Sequence, residues 1–198
     1  MKYRLSGALF LAVFLTIGSA WAQTKMRLLS SDEVAASAAK LSSSLIPGIV
    51  DSPHAIEDQS FSVEGSGFQS FLLLPVKYEW SNQANSANPA DRCGVFVEYS
   101  AGASQFLPID EGLWTCFSFD AVGFVAATNP APPRLLILYS VLLATHDEQY
   151  ASIMDWNASS KKYVWNQKLS NRLTLSGKAT SIAEIKRLLK GYEGTKSK

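Results

Sequence analysis

The sequence predicts a mainly β protein of the α+β class: an antiparallel sheet or sandwich with an N-terminal and a C-terminal helix packed at the periphery. Strand-like apolar segments fill the chain from Phe68 onward, and a capping-box pattern before and after them marks the start of each helix. Of the 198 residues, 47% are hydrophobic and 18% are charged. This composition is typical of one folded domain and excludes a disordered chain.

Both helices are predicted from their N-terminal caps. In Ser30–Glu33 a serine precedes a glutamate by three residues, and apolar side chains then recur on one helical face. We therefore expect a helix at about 31–45 that stops at Pro47-Gly48. Ser181–Glu184 repeats the pattern ahead of a second apolar stripe, and Gly191 is expected to end that helix.

The strands are predicted from alternating or continuous apolar runs. Segment 69–80 contains Pro75, which lacks a backbone donor, so it is expected to be an edge strand or a strand with a break. Segment 135–144 is almost continuously apolar, which suits a strand buried on both faces. Segment 47–67 is rich in Pro, Gly and Ser and is predicted to be mostly loop. The other strand candidates are 92–99, 104–109, 115–119, 122–127, 150–156, 162–168 and 169–175.

The N-terminus has the three parts of a secretory signal peptide. Lys2 and Arg4 form a positive region, 5–17 is apolar, and Ala20-Trp21-Ala22 is a small-x-small cleavage site, which places the cut before Gln23. The apolar run is too short to span a bilayer comfortably. The predicted organisation is a signal peptide followed by a single globular domain, at residues 1–22 and 23–198.

After cleavage the protein is expected to be soluble in the periplasm, or alternatively secreted. No later apolar run reaches about 18 residues, so no integral membrane segment is expected. Cys93 and Cys116 remain, and in an oxidising compartment they are expected to form a structural disulfide. Closing this 24-residue loop contributes about 3.5 kcal/mol in the chain-entropy model. The spacing is too long for a Cys-x-x-Cys redox pair.

Few residues offer catalytic or metal chemistry. The two histidines, His54 and His146, are far apart in sequence, and no Gly-x-Ser-x-Gly elbow, Walker A motif, dinucleotide fingerprint or EF-hand loop occurs. Zinc needs three or four ligands, which these residues do not supply. The adjacent acids Asp110-Glu111 and Asp147-Glu148 would point to opposite faces of a strand, so neither is a natural glycosidase pair. We predict no enzymatic activity, no cofactor and no metal.

The charge is divided unevenly along the chain. Residues 23–160 hold 6 Lys/Arg and 15 Asp/Glu, whereas residues 161–198 hold 10 and 2, giving net charges of −9 and +8. Such an asymmetry can mark an interaction surface, or the two parts can face each other or be spread over the surface. Nucleic acid is not expected as a partner, because the protein is exported and the basic stretch contains no recognisable binding module.

These observations favour an exported module that binds another protein: an inhibitor or immunity protein that blocks a cell-wall-degrading enzyme or toxin. The alternatives are an envelope structural or assembly factor and a periplasmic hydrolase. Binding is expected in loops at 82–92, 105–114 and 146–149, because rigid scaffolds commonly present binding residues on loops. The candidate binding residues are Asp110, Glu111, Trp114, His146 and Asp147.

Overall fold

The computed structural model describes residues 24–41, 46, 48–49, 51–81, 90–109, 115–125, 131–143 and 145–194. These residues form two antiparallel β-sheets and three α-helices. The strands are β1 (Lys25–Leu28), β2 (His54–Ala55), β3 (Phe61–Glu64), β4 (Phe71–Trp80), β5 (Ala90–Tyr99), β6 (Ser104–Pro108), β7 (Thr115–Val125), β8 (Arg134–Leu142), β9 (Asp147–Asn157) and β10 (Lys162–Trp165). The helices are α1 (Ser31–Ala38), α2 (Gln167–Leu175) and α3 (Ile182–Gly194).

The first sheet has the strand order β1-β3-β4-β5-β6, with β2 paired to β4 beside this path, and the second has the order β10-β9-β8-β7. Every strand pair is antiparallel. The prediction of a mainly β antiparallel fold is therefore confirmed. The segment 92–99, predicted from its period-two pattern, corresponds to β5, and the continuous apolar run at 135–144 corresponds to β8.

The main core lies between the two sheets. Alternate residues of β4 and β5 face alternate residues of β8 across it, because successive side chains of a strand point to opposite faces. A disulfide joins Cys93 of β5 to Cys116 of β7 within this core, with the Cα atoms 5.7 Å apart. The fully buried members from β4, β5, β8 and β9 include Leu73, Val95, Val97, Leu135, Ile137 and Met154.

Each sheet also buries its other face against helical residues. On the first sheet, Val34 of α1 packs with a cluster that contains Leu74 and Phe96. On the second, Ile185 of α3 packs with a cluster that contains Leu136. Gly123 of β7 permits this approach, because a Cβ at that position would overlap the side chain of Ile182 at the start of α3. β8 is thus buried on both faces, as its continuous apolar run predicts.

Of the two alternatives predicted for 69–80, an edge strand is wrong, because β4 pairs on both sides, whereas a strand with a break agrees with the gap between its pairing with β3 and its pairing with β2. Pro75 is tolerated through a local break in the pairing on one side. Its carbonyl accepts a hydrogen bond from the Ile56 N–H (2.9 Å). The N–H that proline lacks would therefore be needed on the side of β4 where Ile56 lies. There the chain leaves β4 between β2 and β3 and forms a short 3-10 turn at Glu57–Gln59. The segment 47–67, expected to be mostly loop, therefore supplies two strands and this turn.

Two other strand predictions differ from the structure. The two short strands expected at 115–119 and 122–127 are one strand as far as Val125, β7, with register shifts between Cys116 and Ser118 and between Phe119 and Ala121, and 126–127 lie outside the described residues. The segment 169–175 is helical rather than extended, because Asn166 caps α2 by accepting a hydrogen bond from the Leu169 N–H.

The helix ends also differ. α1 ends at Ala38, before the expected residue 45, and the chain at 42–45 lies outside the described residues. α3 continues through Gly191 to Gly194. The second capping box is half formed: Ser181 Oγ accepts from the Glu184 N–H (3.2 Å), but the Glu184 carboxylate is taken by Arg187.

Side chains close the edges of the second sheet. The Gln105 amide of β6 donates to the Tyr163 carbonyl (2.7 Å) and accepts from the Tyr163 N–H (3.0 Å), so it pairs with β10 as a strand backbone would. On the opposite edge, Lys77 Nζ donates to the Phe117 carbonyl (3.0 Å). Because an unpaired strand edge invites aggregation, these contacts protect the sheet as well as joining it to its neighbour.

Helix α2 protects the part of β9 that lies beyond the short strand β10. Ser170 Oγ accepts from the Ile153 N–H (2.9 Å), and Thr174 Oγ1 accepts from the Ala151 N–H (3.2 Å). These two hydroxyls are one helical turn apart, which brings them opposite alternate residues of the strand. The helix thereby takes the place of a further strand.

Candidate functional site

The described residues on either side of 82–89 and of 110–114, together with the turn from β8 to β9, lie at one end of the sandwich. The predicted loop 105–114 begins too early, because 105–108 belong to β6, and residues 147–149 of the predicted loop 146–149 belong to β9. Trp80 and Ala90, which flank the first loop, are paired at the ends of β4 and β5. In the second sheet, Leu142 is opposite both Thr115 and Asp147. The Cys93–Cys116 disulfide joins these parts of the two sheets, and the Ile109 N–H donates to the Cys93 carbonyl (3.0 Å). We call this region, defined by these residues, the disulfide end.

The structure describes two of the five predicted binding residues. His146 and Asp147 are both exposed where β8 turns into β9. The turn is closed by the Leu143 N–H, which donates to the His146 carbonyl (2.8 Å), and the Thr145 hydroxyl lies 3.1 Å from His146 Nδ1. Asp110, Glu111 and Trp114 lie outside the described residues and remain predictions.

Arg92 corrects the boundary of the first predicted loop, 82–92. It lies within β5, is buried, and holds its guanidinium 5.3 Å from the centre of the Trp80 ring. Its side chain therefore belongs to the packed part of the fold. Residues 82–89 lie outside the described residues.

A cavity of about 860 Å³ opens beside the disulfide end. Next to it, β10 covers β9 as far as the Trp165–Met154 pair, beyond which α2 follows the edge of the strand. Its walls come from β8, β9, β10 and α2 and from residues that follow β6 and α2. They are Ile109, Tyr139, Val141, Glu148, Tyr150, Ala151, Ser152, Trp165, Gln167, Ser170, Asn171, Thr174, Leu175 and Gly177.

The cavity offers aromatic surface and hydrogen-bonding groups. The Tyr139 and Tyr150 rings are 5.9 Å apart, and the Tyr150 hydroxyl donates to Glu148 Oε2 (3.3 Å). Burial, together with the nearby Glu148 carboxylate, raises the pKa of Tyr150, so its hydroxyl stays protonated at neutral pH. Trp165 Nε1 is buried and has no hydrogen-bond partner among the described residues. These groups can bind a partner, and none of them is an activated nucleophile.

Two large apolar side chains are exposed near the same end. Phe117 is 55% exposed at the first register shift of β7, and Leu142 is 49% exposed at the end of β8. Aromatic and aliphatic groups at such positions can contribute to a protein interface. Neither residue is among the predicted binding residues, because each stands inside a strand-like apolar run, where sequence alone indicates burial.

A polar network lies on the outer face of the second sheet. The Asp120 carboxylate accepts hydrogen bonds from Ser118 Oγ (2.6 Å), Ser140 Oγ (2.8 Å) and Gln149 Nε2 (2.6 Å). No sequence motif predicts this network, because its members come from three different strands. Serine and aspartate here form no catalytic triad, since a triad needs a base between them and the third partner is an amide.

Among the described residues, no group of three or more His, Cys, Asp or Glu is placed to hold a metal ion. No described helix is both long and apolar enough to cross a bilayer. No protein-family model matches the chain, and neither the curated proteins nor the solved structures contain a significant match.

Proposed function

We propose that this chain is an exported inhibitor or immunity protein that binds and blocks a cell-wall-degrading enzyme or toxin, and that it acts in the periplasm after cleavage before Gln23. The observation that carries the proposal is the convergence of features at the disulfide end. The flanks of three predicted binding loops, a concave cavity and two exposed apolar side chains occur together there.

A rigid support is the first requirement of such a site. Loops that bind with high affinity are held by strands that do not rearrange, since ordering them on binding costs free energy. The disulfide ties β5 to β7, and both strands are paired along their length. The disulfide end is therefore a preorganised base for the loops.

Concave and protruding features are the second requirement. Binding energy is concentrated where a side chain of one protein fills a pocket of the other. The cavity can accept such a group from the partner, and Phe117 and Leu142 add apolar contact nearby. Trp114, which the sequence places in the second loop, would supply a further anchor.

Charge selects the class of partner. The loops carry Asp110 and Glu111 in sequence, and Asp147 and Glu148 are exposed at the start of β9. An acidic surface favours a basic target, and enzymes that degrade the anionic cell wall are commonly basic. Attraction between unlike charges speeds association, and salt screens it.

The test is inhibition of cell-wall hydrolases by protein released by osmotic shock, whose first residue we expect to be Gln23. A panel of lysozymes and peptidoglycan-cleaving toxins is assayed with increasing amounts of the protein. For the enzyme that is inhibited, we expect Trp114→Ala and Leu142→Ser to weaken binding by roughly tenfold or more each, as interface anchors do. We expect Asp110→Ala with Asp147→Ala to slow association and to reduce its dependence on salt.

The matched control is Val164→Ser, since Val164 is a large apolar side chain exposed on β10, away from the disulfide end. Its affinity should equal that of the wild type. If all the disulfide-end variants bind normally with the fold intact, the interface lies elsewhere. If no hydrolase is inhibited, the proposal is wrong and a role in envelope assembly becomes the better hypothesis.

A further inference from the structure

The outer surface of α2 and α3 concentrates the positive charge of the chain. The buried sides of these helices, which include Leu173, Ile185 and Leu189, pack on the second sheet, so their other sides face solvent. Between Asn166 and Tyr192, Glu184 is the one acidic residue. The basic residues of this layer, which we call the basic helical face, are Lys168, Arg172, Lys178, Lys186, Arg187 and Lys190, all exposed.

The two helices contribute to one continuous surface. The Arg172 guanidinium of α2 lies 3.7 Å from the centre of the Tyr192 ring of α3, which holds the helices side by side. Lys186 and Lys190 are one turn apart on α3, and Lys168 and Arg172 are one turn apart on α2. The cations are therefore neighbours in space as well as in sequence.

The four lysines of this face have no ion pair among the described residues, whereas both arginines are engaged. Arg187 pairs with Glu184, and its hydrogen bonds lower the pKa of that carboxyl. An arginine fork is the group that recognises a particular carboxylate or phosphate, while lysine acts as a mobile point charge. The lysines of this face are therefore better suited to a surface that carries many anionic groups than to a single anionic group in a defined position.

An exposed leucine distinguishes a lipid surface from a purely polar polyanion. Leu175 ends α2 between Arg172 and Lys178 and is 86% exposed, the highest value among the exposed large apolar side chains of the described residues. Helices that lie on membranes combine cations that contact headgroups with apolar side chains that enter the interface.

We propose that the basic helical face binds the surface of anionic phospholipid membranes and holds the protein there peripherally. Each lysine near such a surface adds a favourable electrostatic contribution, and the sum is sensitive to salt. The acidic disulfide end carries the opposite charge to this face, and Leu175, at the end of α2, lines the cavity beside it as well.

The experiment measures cosedimentation of the protein beginning at Gln23 with vesicles. Vesicles of equal parts phosphatidylcholine and phosphatidylglycerol are compared with vesicles of phosphatidylcholine alone, at low salt and at an ionic strength of about 0.15 M. We expect binding to the anionic vesicles only, weakened by salt. The triple variant Lys168→Glu, Lys186→Glu and Lys190→Glu should bind at least about tenfold more weakly, and Leu175→Ser should reduce binding by a smaller factor.

The control triple variant is Lys25→Glu, Lys161→Glu and Lys162→Glu, which changes the net charge equally at exposed lysines of β1 and of the β9–β10 turn. It should keep most of the affinity. Equal loss in both triple variants would show that total charge rather than this face is responsible, and would overturn the proposal. No binding of the wild type to anionic vesicles at low salt would also overturn it. Thermal melts confirm that each variant is folded.

Discussion

Glu33 shows how one side chain near the N-terminus joins local and tertiary structure. Its carboxylate accepts from the Ser30 N–H (2.9 Å) to complete the capping box of α1. The same carboxylate accepts two hydrogen bonds from the Arg27 guanidinium of β1, each 2.8 Å long. The spacing of Ser30 and Glu33 predicts the first contact, whereas the pair with Arg27 depends on how β1 approaches the helix.

This arrangement predicts a dependence of stability on pH. The hydrogen bonds from Arg27 and the Ser30 backbone lower the pKa of Glu33 from 4.5 to about 2. Because the folded pKa is depressed, the stabilisation is present above about pH 4.5 and is lost as the pH falls toward 2. We expect Glu33→Gln to lower the free energy of unfolding at pH 7 and to differ less from the wild type as the pH falls through this window.

Urea unfolding at several pH values measures this difference, and the Glu33 carboxyl can be titrated directly by NMR. Asp58→Asn is the control, since Asp58 is an exposed carboxylate that makes no ion pair with a described residue. A Glu33 carboxyl that titrates at its ordinary pKa would contradict the prediction.

Among the secondary-structure elements, α2 is a helix that the sequence wrongly predicts to be a strand. The segment 169–175 is predicted from the sequence as a short strand. In the structure Asn166 caps a helix whose leucines at 169 and 173 share a face, and the hydroxyls of Ser170 and Thr174 bind β9. Whether this segment forms a strand or a helix depends on β9, because the backbone groups at the unpaired edge of β9 need hydrogen-bond partners from another part of the chain.

We predict that Ser170→Ala destabilises the protein by about 1–3 kcal/mol, because it leaves the buried Ile153 N–H without its acceptor. Urea unfolding measures the change, and amide exchange should show faster exchange at Ile153 while Leu136 of β8 keeps its protection. Lys168→Ala on the exposed side of the same helix should have little effect on either. Unchanged exchange at Ile153 would mean that the hydroxyl does not protect this edge.

At the scale of the whole molecule, the Cys93–Cys116 disulfide joins the two sheets inside the main core. The pairing is predicted from the presence of two cysteines in an exported chain, and the structure confirms it. The structure also shows where the disulfide lies. Both cysteines are fully buried, and the bridge is close to the residues that flank the predicted binding loops.

We expect replacement of both cysteines by Ala to lower the free energy of unfolding by about 3.5 kcal/mol, since the unfolded chain then regains the entropy of the open loop. Binding to the target enzyme should persist at low temperature, where the variant is still folded. Thermal and urea unfolding measure the loss, and reduced wild-type protein is the control for the effect of the bridge alone. Two free thiols in native protein purified from the periplasm would contradict the structural role.

Three features of the fold can be predicted from the sequence alone. The capping box at Ser30, the buried strand β8 and the pairing of Cys93 with Cys116 follow from local spacing, composition and count. Which strands are central and how the sheet edges are closed become known only from the three-dimensional arrangement. The reason is that hydrogen-bond partners such as Gln105 and Tyr163, or Ser170 and Ile153, are distant in sequence, and strand order sets which of them become neighbours.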